Sequence, residues 1–203
     1  MNWVKGRAVT IGSAMIFLGL MGEGCVPDRV AVGGGIRQVK AEVGGNNLKL
    51  LVPVYEIQLV KDLTRDTEGY WQLQFVEFTP NTAMVAGGEV KGQAQSLGLG
   101  MCWYPFTDSK VGRAIGFGAE GEVFRVAYTI EGVFAHAMKY EISDRLWGYG
   151  LTPSVVGELA LDKKNRWLLT WRVGYSFIGD CDSEFNLDGG LSVGLAMQVA
   201  IGK

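Results

Sequence analysis

Leu191-Ser192-Val193-Gly194-Leu195-Ala196-Met197-Gln198-Val199-Ala200-Ile201 is the stretch that decides the fold. Every odd position is bulky and apolar, and every even position is small or polar, without a break over eleven residues. A period of two describes a strand with two different faces. Eleven residues is also the length with which a tilted strand crosses a bilayer, where roughly 9–11 are needed.

The pattern recurs upstream. Trp167, Leu169, Trp171, Val173, Tyr175 and Phe177 share one face, against Leu168, Thr170, Arg172, Gly174 and Ser176 on the other. Leu97, Leu99, Met101 and Trp103 alternate with Ser96, Gly98, Gly100 and Cys102. Ile115, Phe117 and Ala119 begin a further strand whose apolar phase moves to Phe124, Val126 and Tyr128, a shift that predicts a β-bulge near Val123. Weaker alternation covers 51–61, 70–78, 133–142 and 154–161, which makes eight strands from residue 51 onward. Residues 29–42 and 82–92 offer a ninth and a tenth. Turn-forming clusters at 66–69, 105–112, 162–165 and 179–190 separate these runs. The expectation is an all-β, antiparallel, up-and-down barrel.

The smaller face shows which side is wet. A soluble barrel turns its bulky face inward and needs Lys, Glu and Thr on the other. Here the other face carries Ser192, Gly194, Ala196, Gln198 and Ala200, which solvate poorly. In a narrow transmembrane barrel the faces exchange roles: bulky residues meet lipid and small ones fill the lumen. For the apolar faces on either side of the 162–165 turn to coincide, Leu159 must oppose Leu169 and Glu158 must oppose Thr170. Glu158 and Arg172 are then diagonal neighbours inside the barrel, a candidate lumenal ion pair.

The chain has 203 residues, 48% of them hydrophobic, with 30 glycines, one histidine and a net charge of −2. That balance excludes a broad basic surface for nucleic acid. Lys5 and Arg7 precede a 14-residue apolar run, 8–21, of signal-peptide length. Residues 1–24 therefore read as an export signal and 25–203 as the barrel domain. Gly24-Cys25 resembles the end of a bacterial lipoprotein signal, which would make Cys25 a lipidation site, although Gly22 and Glu23 depart from that pattern. Export into an oxidising compartment makes Cys102 and Cys181 a candidate disulfide, provided their strand ends share a side.

Residues 167–177, the loop 179–190 and the closing strand 191–201 together resemble a small bacterial outer-membrane β-barrel protein of about eight strands. The resemblance implies an outer-membrane location in the cell envelope, with outer-membrane lipid and the barrel-insertion machinery as partners. It also implies a role in envelope structure, or in adhesion and contact with an unknown partner through loops such as 105–112 and 179–190. Such proteins usually finish on an aromatic residue, whereas this chain finishes Ile201-Gly202-Lys203. Two alternatives remain open: an exported, lipid-anchored soluble barrel holding an apolar ligand, and a lipid-modifying barrel enzyme. Enzymes of the latter kind use a His-x-Ser spacing, but Met138 follows His136 at that distance. The Gly116–Gly121 run spells a dinucleotide fingerprint without the helix that would serve it. Asp180, Asp182, Glu184 and Asp188 lack the glycine and closing glutamate of a calcium loop. No catalysis, metal or cofactor is expected.

Overall fold

The computed structural model describes residues 26–43, 46–78, 84–85, 88–109, 111–134, 138–180 and 186–201. Among them, eight long strands follow one another in antiparallel order: β1 (Arg29–Val43), β2 (Asn46–Asp62), β3 (Thr67–Phe78), β4 (Gly88–Trp103), β5 (Gly116–Phe134), β6 (Met138–Ala160), β7 (Trp167–Tyr175) and β8 (Leu191–Ala200). β8 pairs with both β7 and β1, and β1 pairs with β2, so the sheet closes on itself. Short strands extend this wall: Met84–Val85 beside β4, Phe177–Asp180 beside β6, and Asn186–Asp188 beside β1. The pairs Asp62–Glu68, Glu68–Cys102, Cys102–Gly118, Gly118–Ser154, Ser154–Gly174, Gly174–Ser192, Ser192–Arg37 and Arg37–Val52 trace one circuit of the wall. The circuit returns to β2 ten residues from its start. Eight strands with a shear of ten tilt by about 40° and enclose a backbone cylinder about 16 Å across, enough for side chains and little else.

The bulky face is the outer one. Leu195 and Met197 are 56% and 46% exposed, whereas Ala196 and Gln198 between them are 5% and 2% exposed. Tyr55, Ile57, Leu99, Met101, Leu151 and Phe177 are likewise exposed, and Glu56, Gln58, Gln72, Gln74, Glu120 and Glu122 are buried. An apolar exterior around a charged interior excludes the soluble barrel with an apolar ligand inside. This face forms an apolar outer band of the kind that a membrane-spanning barrel turns to lipid.

Three details correct the sequence reading. Residues 133–142 and 154–161 do not make separate strands of one wall: the second lies within β6, 23 residues long, and the first straddles the β5–β6 connection. Gly148, Gly150 and Pro153 look like breakers, but Gly148 and Gly150 make room for Phe124 and Glu122 in the lumen. The first strand of the barrel is therefore 29–43, which brings the total back to eight. No bulge interrupts β5 near Val123, because its register with β4 and β6 is continuous. Phe124 and Val126 simply point inward, where the lining changes from polar to apolar. The one-residue shift lies instead between Arg37–Ser192 and Lys40–Asp188, at Gly189-Gly190.

Both described chain ends and the connections 63–66, 104–115 and 161–166 lie at one end of the barrel, here the terminal end. Loop 105–112 is thus at the opposite end from loop 179–190. The 161–166 turn is fixed by the Asp162 carboxylate, which accepts the N–H groups of Arg166 (2.7 Å) and Trp167 (3.0 Å), and by Asn165 at φ 53°. These bonds hold the Asp162 carboxyl below its ordinary range, the Trp167 N–H contributing most.

Candidate functional site in the lumen

Inward residues from around the wall meet as charged layers stacked along the barrel axis. At the terminal end, Arg29 donates to Glu158 (2.8 Å), Glu68 (2.7 Å), Asp62 (2.6 Å) and Gln198 (2.8 Å). Arg113 comes to the same three carboxylates from the 104–115 loop, at 3.2–3.3 Å. Its guanidinium lies 4.9 Å from the centre of the Tyr104 ring, and its carbonyl accepts the Glu158 N–H at 2.8 Å. Burial opposes the charge of Arg113, but Glu158, Glu68 and Asp62 outweigh it and raise its pKa. The loop therefore folds over the lumen mouth and leaves a vestibule of about 380 Å³ bounded by Arg29, Asp62, Arg113 and Glu158.

The next layer is centred on Arg172. It donates to Glu120 (2.5 Å) and Glu56 (2.7 Å), and to the Tyr70 hydroxyl (3.2 Å), which itself donates to Glu120 (3.0 Å). Gln72 also donates to Glu120. Two glycines make this crowding feasible. A Cβ at Gly100 would strike the Tyr70 ring, and one at Gly33 would lie 2.5 Å from the Ala196 Cβ. Above this layer, Arg37 holds Glu122 (2.5 Å) and donates to Gln74 (3.0 Å). Beyond Arg37 the lining is apolar: Phe124, Val126 and Leu146 pack together with Ala94, Tyr128 and Ile178. The cavity between the two lower layers holds only about 30 Å³.

Glu158 and Arg172 share the lumenal face, and the expected register holds, with Glu158 opposite Thr170 and Leu159 opposite Leu169. The two do not pair with each other. Arg172 extends across the lumen to Glu56 and Glu120, while Glu158 is held by Arg29 and Arg113. Cross-lumen partners thus prevail over the adjacent strand, because a cylinder this narrow lets a guanidinium reach the opposite wall. Cys102 is a free thiol buried in the lumen near the terminal end. Asp180 pairs with Gly148 towards the far end. Cys25, His136, Cys181 and the signal segment lie outside the described residues. Arg29, Arg37, Arg113, Glu56, Glu120 and Glu122 went unnoticed in the sequence. Glu56 and Gln58 between Tyr55, Ile57 and Leu59 carried the same signal as Arg172 and were there to be read.

No family profile matches the sequence, and no curated protein matches it either. The fold is similar to that of Ail, the attachment invasion locus protein of Yersinia pestis, with a TM-score of 0.50 at 8% identity over 85% of this chain and 99% of Ail. Neisserial surface protein A is also similar, with a TM-score of 0.49 at 14% identity over 85% of this chain and 97% of that one. At such identities the likeness concerns architecture alone. The closed eight-strand wall, the lipid-facing belt and the packed polar lumen are those of a small bacterial outer-membrane β-barrel.

Proposed function

We propose that this protein is a non-enzymatic envelope barrel that makes contact through the part standing above the outer leaflet. The observation that carries this reading is the unequal height of the wall. β5 continues nine residues past Arg125 to Phe134, and β6 begins nine residues before Trp147, paired throughout. With β4 alongside, these strands rise about 20 Å above the rim marked by Arg125 and Trp147. The long far-end strands, opposite the tight 63–66 and 161–166 turns, support a periplasmic terminal end. A non-catalytic role is supported by the lumenal glutamates: Glu56, Glu68, Glu120, Glu122 and Glu158 are each held by an arginine. Replacing residues 128–144 by a two-residue turn tests the proposal. The shortened protein is expected to keep its heat-modifiable gel migration and to lose surface attachment or partner capture. Full attachment by a folded, shortened barrel would sink it. In the same cells, His136→Ala is expected to leave acyl release from envelope lipids unchanged.

A further inference from the structure

Arg125 ends an apolar file on the outer wall of β5, after Phe117, Ala119, Gly121 and Val123. It is exposed, its guanidinium lies 5.8 Å from the centre of the Trp147 ring, and no carboxylate of the described residues pairs with it. Its direct neighbours across the strands are Gln95 and Trp147. Elsewhere on the rim, Lys40 is already neutralised by Asp188 at 3.1 Å. The exposed Glu77 stands opposite Gln93, so Gln93 and Gln95 of β4 separate it from Arg125. A guanidinium at the edge of hydrocarbon keeps its charge at little cost and lies within reach of the headgroup phosphates.

Further down the file, past the exposed Val123, the wall is hollow. A Cβ at Gly121 would meet nothing within 4 Å, while Leu99 and Leu151, its two cross-strand partners, are 59% and 56% exposed. A furrow with two aliphatic banks therefore opens in the belt below Arg125 and Val123. We propose that this surface binds a phosphorylated, multiply acylated lipid of the outer leaflet. The phosphate meets Arg125 beside the Trp147 indole, and one acyl chain lies along Gly121 between Leu99 and Leu151. A guanidinium–phosphate contact is a charge-assisted, directional bond. A chain in the furrow gains dispersion contacts on three sides. The inference rests on the orientation proposed above, which puts this rim in the outer leaflet.

The test uses the full chain folded in detergent, with native mass spectrometry counting retained bisphosphorylated lipid A or its dephosphorylated counterpart. Unboiled gel migration reports the fold in parallel. The folded protein is expected to retain the phosphorylated lipid about tenfold better, the worth of one charged hydrogen bond. Arg125→Gln should erase that preference, and Gly121→Leu should lower retention of both lipids while leaving migration unchanged. Equal retention of the two lipids by the folded band, an unaltered preference in Arg125→Gln, or displacement by millimolar inorganic phosphate would overturn the lipid site alone. Absence of any heat-modifiable band would overturn the membrane orientation with it.

Discussion

At the terminal end of the lumen, Arg29 and Arg113 are wedged among Asp62, Glu68 and Glu158. At the far end, Phe124, Val126 and Leu146 fill the same cylinder with hydrocarbon. One wall geometry is thus filled by two kinds of chemistry. Buried charges hold together only as complete sets, since removing one partner leaves another charge unpaired in a poor solvent. Apolar side chains lose stability in proportion to the volume removed. The difference between the ends should therefore appear as a difference in how each tolerates damage.

The severest break is Arg172→Met, which leaves Glu56 and Glu120 without their guanidinium. It should cost about 3–5 kcal/mol in urea unfolding of the folded barrel, and adding Glu120→Gln should restore part of that loss. At the far end, Leu146→Ala should cost about 2–3 kcal/mol, with no partner change able to restore it. A finer probe is Arg113→Ser in a Cys25→Ser, Cys181→Ser background. The ion pairs it removes are long and partly open to water, so about 1 kcal/mol is expected. Its clearer consequence is access: a small thiol reagent should modify Cys102 faster than in the parent, whereas Leu146→Ala should leave that rate unchanged when reagent enters from the terminal end. The mildest effect concerns Asp162. Its pKa is lowered in the folded state, chiefly by the Trp167 N–H, so its stabilisation is present above the ordinary value of 3.8 and is lost as pH falls through the depressed one. Asp162→Asn should lower the unfolding midpoint slightly at pH 7, by an amount that shrinks as the pH is taken below 3.8.

What could be read from the sequence follows the same division. β7 and β8 were legible because their inner residues, such as Thr170, Gly174, Gly194 and Gln198, differ sharply from the outer ones. The upper parts of β5 and β6 were not, because Phe124, Val126 and Leu146 turn inward while Arg125 and Arg145 face out, so the apolar residues change faces without any break in the strand. The register beside the 161–166 turn was legible since only one pairing keeps both apolar faces outside. The ion pairs were not. Arg172 meets Glu56 and Glu120 across sequence separations of 116 and 52 residues, and only closure of the wall brings them together.

The seam where Arg29 pairs with Ala200 joins the first strand to the last. The closing strand must be made before that seam can be zipped, so no product that stops short of it possesses a finished wall. Until then the exposed edges of both strands need protection from stray pairing. Contacts this distant along the polymer also make closure slow. The wall of this protein is therefore completed by its last strand, and every earlier stage carries two open edges.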